Sequence, residues 1–337
     1  MICCMQAQSL ALAIAILSLL SSGVGAEVAE VRLVQQFGAT FVPFMVMENQ
    51  KLVEKHAARA GLPNLQVQWS KLGGPSAIND AVLSGSVHFS LQGVPSLALL
   101  WDRTKGGIGV KGVSGNCSGN FWLNVRNPAI TSLKDFSEKD RIAVPSAKVS
   151  MQAVLLQMAA EREWGPGQHT RLDHLVIALP NPDGMIAVLN PGHEVNAHIA
   201  TQPFHAGEIK GGLRTIFNGY DLLGGTAASN TLVSTEPFRA ANPKVFAAVI
   251  AAHAEAMVWI NADMRRTAKL FIELTREKQL TEDEVVALMS EPGFEYTRTP
   301  KKIGKFADFM HRTGMIRSKA ASWKDLFFEE AHALAGD

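Results

Sequence analysis

The sequence contains one pattern of strands and helices twice, in residues 31–100 and again in residues 141–214. In the first copy the apolar segments VRLVQQF, LQVQWSKL and VHFSLQ alternate with helical stretches, and in the second RIAVPS, HLVIALP and NAHIATQ do the same. Such alternation predicts an α/β fold, here as two open lobes. Because open α/β sheets bind ligands at the carboxyl ends of their strands, two facing lobes could enclose a small molecule.

Length and charge narrow the class of protein further. At roughly 100–200 residues per domain, a chain of 337 residues has enough material for two cores. The 32 Lys and Arg residues nearly balance the 31 Asp and Glu residues, and the sequence has no clustered run of charge. A nucleic-acid-binding protein would need a basic patch or stripe, so the composition argues against a nucleic-acid partner.

The N-terminus has the organisation of a secretory signal peptide. Residues 10–20 (LALAIAILSLL) form an apolar run that is too short to span a bilayer, and residues 24–26 (VGA) fit a cleavage site of small residues. We therefore expect residues 1–26 to be removed and Glu27 to begin a soluble periplasmic protein. A membrane anchor is the alternative, because residues 1–8 contain no Lys or Arg.

Two Gly- and Ser-rich stretches, residues 106–119 and 224–234, are interpreted as the connections between the lobes. Two crossings by extended chain would form a hinge that lets the lobes close on a ligand. The sequence then becomes helical, and we expect these C-terminal helices to pack on lobe one. The predicted division is a signal peptide in residues 1–26, the first part of lobe one in 27–118, lobe two in 119–228, and the return crossing with the C-terminal helices of lobe one in 229–337.

Two glycine motifs in the first connection have alternative interpretations. Residues 107–112 (GIGVKG) match the dinucleotide-binding fingerprint, but that motif follows a strand and opens a helix, whereas a helical segment precedes it here. Cys117 within GNCSG could be the nucleophile of a thiol hydrolase, which would again require a strand-to-helix turn. We interpret Cys117 as a small hinge residue. Once Cys3 and Cys4 leave with the signal peptide, it has no partner for an intramolecular disulfide.

A histidine cluster suggests a metal site at first sight. His193, His198 and His205, with Glu194, are residue types that bind zinc. The pattern places the three histidines in a loop, on a strand and after a Pro-Phe turn, so no common helical face collects them. We therefore predict structural or surface histidines, no metal site and no cofactor.

The candidate ligand site consists of strand ends and helix starts that would face the cleft. A helix N-terminus offers unpaired amides and about half a positive charge, so several of them around one cavity favour an anionic ligand. Ordinary helix capping is the alternative for each position, and Lys148 is expected to point to water. The candidates are Gln36, Phe37, Gly38, Gly73, Gly74, Gln92 and Gly93 in lobe one, Ser146, Ser150, Gln152 and Gln202 in lobe two, and Asn230 near the second crossing, with Asn181 and Pro203 at similar positions.

Several segments together resemble the periplasmic binding proteins of the nitrate, sulfonate and taurine class of ABC importers. These segments are RIAVPS at residues 141–146, NAH at 196–198 with QPF at 202–204, LVST at 232–235 leading to Asn242-Pro243, and WIN at 259–261. The resemblance implies a type II two-lobed periplasmic-binding-protein fold without catalytic residues, a monomer, and a membrane permease as partner. It leaves the ligand open between a small organic anion and a neutral heterocycle.

The resemblance also leaves two other functions open. Related two-lobed folds include desulfinases and pyrimidine-forming enzymes, whose reactive cysteine or histidine lies near the first strand. This chain has Gln35, Gln36 and Phe37 there, so an enzyme would have to use Cys117. A solute sensor that docks on a receptor instead of a permease is the other alternative.

Overall fold

The computed structural model describes residues 27–337 as two α/β lobes, each built on a five-stranded sheet. The expected signal peptide lies outside the described residues. The strands are β1 (Glu30–Gln35), β2 (Gln66–Lys71), β3 (Phe89–Gln92), β4 (Val110–Ser118), β5 (Trp122–Val125), β6 (Ile142–Val144), β7 (Val176–Ala178), β8 (Ala197–Ala200), β9 (Arg214–Asn218) and β10 (Ala228–Thr235).

The two sheets have the same topology. The strand order is β2-β1-β3-β10-β4 in lobe one and β7-β6-β8-β5-β9 in lobe two. In each sheet the first three strands of that order are parallel, and the fourth, β10 or β5, runs antiparallel to both of its neighbours. The predicted fold class, two open α/β lobes made from a repeated unit, is confirmed.

Helices cover the faces of both sheets. The α-helices are α1 (Val42–Asn49), α2 (Leu52–Arg59), α3 (Pro75–Leu83), α4 (Val94–Thr104), α5 (Met151–Trp164), α6 (Asn181–Leu189), α7 (Phe204–Lys210), α8 (Gly219–Leu223), α9 (Glu236–Ala241), α10 (Pro243–Ala262), α11 (Met264–Thr275), α12 (Glu282–Met289) and α13 (Ile303–Arg312). Short 3₁₀ helices include Ala39–Phe41 and Trp323–Leu326.

Local sequence signals explain most helix boundaries. A capping box forms at the start of α12, where the Thr281 hydroxyl accepts from the Glu284 amide at 3.3 Å and the Glu284 carboxylate accepts from the Thr281 amide at 2.7 Å. The helical segment after β1 is two helices, α1 and α2. The chain breaks at Lys51, which has a left-handed φ of 49°.

The two Gly- and Ser-rich stretches, interpreted as the connections between the lobes, are mostly the buried strands β4 and β10 of the lobe-one sheet, each next to a crossing. The glycines of β4 allow other chain segments to lie on the strand. A Cβ at Gly112 would overlap the ring of Phe327, and one at Gly115 would lie 2.6 Å from the carbonyl oxygen of Thr299. The crossings between the sheets are only residues 119–121 and 224–227.

A third segment also contacts both lobes; we call residues 291–301 the C-terminal strap. It exchanges two backbone hydrogen bonds of 2.8 and 2.9 Å with Ser118, and it accepts one of 3.0 Å from the Ala228 amide. The hydroxyl of Tyr220, in lobe two, donates to the Gly293 carbonyl at 2.6 Å. The strap therefore lies beside both crossings and connects the C-terminal part of the chain to lobe two.

The C-terminal helices pack on lobe one, as predicted. Helix α10 packs against α1 and α2 and buries Val245, Val249, Ala252 and Ile260 in the core of that lobe. Within residues 27–337 it is the one helix whose length and composition would also suit a membrane span, with a mean hydropathy of 1.5. Its apolar character is accounted for by the helices and strands that it covers.

Candidate functional site

A small cavity lies between the lobes, where the carboxyl ends of the strands of one sheet face those of the other. Its volume is about 40 Å³, enough for roughly three water molecules. The lining side chains that the structure describes are all uncharged. They are Gln36, Thr40, Phe41, Pro75, Gly93, Phe121, Met151, Gln152, Asn181, Thr201, Ser229 and Asn230.

On the wall from lobe one, a buried hydrogen-bond chain orients Asn230. The Asn116 amide donates to the Asn230 Oδ1 and to the Thr40 carbonyl, both at 2.8 Å, and the Asn116 Oδ1 lies 2.8 Å from the His253 Nε2. Burial lowers the pKa of His253 to about 3, so this imidazole is neutral and its Nδ1 faces the Ser114 hydroxyl at 3.2 Å. The Asn230 Nδ2 donates to the Thr40 carbonyl at 3.4 Å, which leaves its second N–H for a ligand.

On the wall from lobe two, the first residues of α5 and α6 provide the polar groups. The Gln152 Nε2 donates to the Asn181 Oδ1 at 3.3 Å. Ser150 lies at the N-cap of α5, where its hydroxyl accepts from the Ala153 amide at 3.2 Å and donates to the Ser146 carbonyl at 2.6 Å. Its hydrogen-bonding groups are thus used in capping.

Helix N-termini supply the positive potential of the cavity. Pro75 is the first residue of α3, Gly93 the N-cap of α4, Met151 the first residue of α5 and Asn181 the first residue of α6, and all four line the cavity. Each helix start has free backbone amides and about half a positive charge. The cavity is therefore suited to an anion without a basic side chain.

Glycines let the two lobes touch beside the cavity. A Cβ at Gly74 would overlap the Pro145 carbonyl oxygen and lie 2.7 Å from the Ser146 Oγ, while one at Gly73 would lie 2.8 Å from the Pro180 ring. The Ser146 hydroxyl also accepts a 3.3 Å hydrogen bond from the first turn of α3. Both glycines belong to lobe one and their neighbours to lobe two, so the structure shows the lobes closed.

A second contact between the lobes lies at Gly38 and Gln202. The Ala39 amide donates to the Gln202 carbonyl at 2.9 Å, and Gly38, with a φ of 117°, leaves room for that carbonyl. The Gln202 side chain donates to Glu291 of the strap at 3.0 Å. Burial raises the pKa of the Glu291 carboxyl.

The structure divides the predicted site residues into groups. Gln36, Gly93, Gln152 and Asn230 line the cavity, as does Asn181. Five others lie at the contact between the lobes: Gly38, Gly73, Gly74, Ser146 and Gln202. Gln92 is fully buried behind the wall and donates to Asn79 at 2.9 Å, Phe37 is half-buried outside the cavity lining, and Ser150 caps α5. Ligand contact by any of these residues stays a prediction.

Sequence reasoning missed seven lining residues, among them Thr40, Phe41, Phe121 and Ser229. The first two lie in the 3₁₀ helix that follows Gly38, and the other two lie beside the crossings. Their positions could have been inferred from the chain order alone, because both crossings must pass the base of a cleft between the lobes. The strand-end pattern does not single out side chains there.

Cys117 and the histidines occupy structural positions. Cys117 is buried in β4, burial raises the pKa of its thiol, and the segment that follows is β5, so the geometry of a nucleophile elbow is lacking there. His205 stacks on Trp122 with ring centroids 4.0 Å apart. Within residues 27–337 no cluster of three metal-binding side chains occurs. Lys148 is exposed, as expected.

Comparison with known proteins identifies the fold. No protein-family model matches the chain, and no curated protein matches it in sequence. The periplasmic aliphatic sulphonate binding protein SsuA from Escherichia coli has a TM-score of 0.63 at 16% identity, covering 90% of this chain and 93% of that one. The alkanesulfonate-binding SsuA from Xanthomonas axonopodis pv. citri, bound to MOPS, gives 0.66 at 16%, with 88% and 97% covered.

The periplasmic nitrate-binding protein NrtA from Synechocystis PCC 6803 is also similar, with a TM-score of 0.60 at 14% identity and coverage of 77% of this chain and 70% of that one. A fungal protein from Candida albicans, described as having the generic periplasmic binding protein structural fold, gives 0.65 at 13% identity. At these identities the similarity establishes the fold. The chain has the two-lobed fold of periplasmic binding proteins.

Proposed function

We propose that the protein is the solute-binding component of an ABC importer and that it holds a small oxyanion between its lobes. The observation that carries this proposal is the uncharged cavity between the lobes, lined in part by amide and hydroxyl side chains, on which four helix N-termini converge. Amide donors together with helix N-termini can bind an oxyanion without a charged side chain. Sulfonate- and nitrate-binding proteins among the structural neighbours are consistent with this ligand class.

The cavity also limits the size of the ligand. About 40 Å³ suits a compact group such as nitrate or a methanesulfonate head, and Phe41, Phe121 and Met151 offer apolar contact to a short tail. Because the ligand would touch both lobes, it would bind the closed state more tightly than the open one and shift the population towards closure. No bond in the ligand needs to break for this function.

Delivery to a permease is the favoured role, by analogy with neighbours such as the ligand-binding component of an ABC-type import system from Staphylococcus aureus. A receptor as partner is the alternative, and permease and ATPase genes beside this one would favour the importer. The thiol-hydrolase alternative loses support, because Cys117 is buried and the structure does not place it in the cavity lining. We propose a monomer that closes on its ligand.

Export to the periplasm is part of this proposal and predicts a defined N-terminus. Cleavage after Ala26 should leave Glu27 as the first residue of the protein recovered from a periplasmic extract. N-terminal sequencing checks this result. A chain that keeps Met1 and sediments with membranes would contradict it and would favour the membrane anchor.

Binding of a small oxyanion predicts thermal stabilisation. A ligand that binds only the folded protein stabilises it by RT ln(1 + [L]/Kd), which is about 2.7 kcal/mol at a hundredfold excess over Kd. We expect nitrate, methanesulfonate, taurine or a short carboxylate to raise Tm in this manner, with uracil as the neutral heterocycle for comparison. Small-angle scattering should show a smaller radius of gyration with the stabilising ligand. Stabilisation by uracil alone, or without compaction, would contradict the proposal.

A further inference from the structure

A fully buried histidine–glutamate pair lies directly behind the cavity wall of lobe two. The Nδ1 of His198, on β8, lies 2.5 Å from the Glu208 Oε1, on α7, and both side chains have no solvent exposure. The Nε2 of the same imidazole lies 3.3 Å from the Oδ1 of Asn181, a cavity-lining residue. A buried pair of this kind is weak evidence for stability. The position of His198 and Glu208 beside a ligand cavity therefore calls for another explanation.

The neighbours of Glu208 fix the direction of these hydrogen bonds. The Thr215 hydroxyl donates to the Asn124 Oδ1 at 2.6 Å, so the Asn124 amide donates to the Glu208 Oε2 at 2.7 Å. Glu208 Oε2 is therefore an acceptor, and one proton must lie between its Oε1 and the His198 Nδ1. This holds whether that proton is formally on the acid or on the imidazole.

The remaining ring nitrogen then determines the orientation of Asn181. If the Nε2 of His198 has a proton, it donates to the Asn181 Oδ1, which also accepts from the Gln152 Nε2 at 3.3 Å. With its oxygen bonded twice, Asn181 turns its Nδ2 donors towards the cavity. Without that proton the amide would rotate and present its oxygen to the ligand.

A glycine makes room for this arrangement. Gly184 lies inside α6, where glycine is less favourable than alanine by roughly 0.5–1 kcal/mol. A Cβ at this position would lie 2.8 Å from the His198 Nε2. The helix therefore has a residue that disfavours helix where it covers the imidazole, three residues after Asn181, which the imidazole orients.

We propose that His198 and Glu208 act as a positioning pair, which keeps a proton on the His198 Nε2 so that Asn181 presents its Nδ2 to a bound oxyanion. The inference rests on the proposed function for the identity of the ligand. It assigns to the pair a role in selecting anions, since a donor at this position favours an oxyanion and an acceptor opposes it.

His198→Asn tests this role. Its amide can still donate to the Glu208 Oε1 from the place of Nδ1, but it has no group at the place of Nε2, so Asn181 loses that hydrogen bond and should rotate. We expect the Kd for methanesulfonate to rise by about tenfold more than the Kd for dimethyl sulfone, its neutral analogue, or ~1.4 kcal/mol of selectivity. Isothermal titration calorimetry measures both. His205→Gln is the matched control, because His205 lies in the same helix as Glu208 and beside Asn124. It should keep the wild-type ratio of the Kd values for methanesulfonate and dimethyl sulfone.

Equal losses for the two probes would show a merely structural role and would overturn the inference. A second measurement does not depend on the ligand: in protein labelled with ¹⁵N-histidine, the His198 ring should show a proton on Nε2, and Glu208→Gln should keep it, because the glutamine oxygen stays with the Asn124 amide and its N–H faces Nδ1. A wild-type Nε2 without a proton overturns the inference in any case. If the wild-type protein binds neither probe, the oxyanion function fails, and the ring measurement alone decides whether the pair orients Asn181.

Discussion

Gly74→Ala is expected to weaken ligand binding by about 10- to 100-fold while leaving each lobe folded. The added methyl group would overlap the Pro145 carbonyl oxygen and lie 2.7 Å from the Ser146 Oγ, so the lobes could close only after a shift of backbone. Overpacking of this kind costs typically 1–3 kcal/mol, which the closed state alone would bear. Gly74 has an extended φ of −164°, so alanine strains neither its own backbone nor the open protein.

The measurement is a titration by calorimetry, with small-angle scattering to report the degree of closure. Gly304→Ala is the matched control, because a Cβ at Gly304 meets nothing within 4 Å. It should keep the affinity of the wild-type protein. Unchanged affinity and full compaction in Gly74→Ala would show that ligand-bound lobes meet in another arrangement than the one described here.

Asn230→Ala is expected to weaken oxyanion binding by roughly 10- to 100-fold, the effect of losing a buried hydrogen bond worth about 1–3 kcal/mol. The variant removes the side-chain amide of a cavity-lining residue, including its 3.4 Å hydrogen bond to the Thr40 carbonyl, and it leaves the Asn116 amide with that carbonyl as its remaining acceptor. Calorimetry should show the loss in Kd, and thermal unfolding of the ligand-free protein should show a smaller change.

Ser150→Ala tests whether the Ser150 hydroxyl only caps α5 or also binds the ligand. Because the Ser150 hydroxyl caps α5, its loss should lower the free energy of unfolding by about 1 kcal/mol. We expect Kd to change by less than about threefold in this variant, or ~0.6 kcal/mol. The opposite pattern, with normal stability and lost binding, would return Ser150 to the ligand site and would argue against the cavity defined by Asn230.

The architecture could be predicted from the sequence because the spacing of apolar residues indicates strands and helices directly. Apolar segments such as those that became β1 and β6 alternate with helices in both copies, and helix starts such as Thr281 have their own local chemistry. Cavity residues at helix starts, such as Gln152 and Gly93, were predicted by the same logic, since strand ends and helix N-termini must face the cleft.

The meaning of the glycines could not be predicted in the same way. Glycine-rich sequence is typical of loops, but Gly112 and Gly115 lie in a buried strand. Because they have no side chain, an aromatic ring and a backbone segment can pack on that strand. Gly73 and Gly74 were predicted to bind the ligand, whereas the structure places them where one lobe touches the other. A close approach depends on residues distant in the chain, and local sequence contains no signal for it.

The position of β10 has a consequence for the order of folding. Strand β10 lies between β3 and β4 in the sheet of lobe one, so β4 joins that sheet by pairing with β10. Lobe two, whose strands β5 to β9 are consecutive, can complete its sheet first, while lobe one waits for a contact of long sequence separation. In a protein exported as we propose, the residues made first would thus stay incompletely folded until β10, at Ala228–Thr235, has been made, which favours passage through a membrane in an extended form.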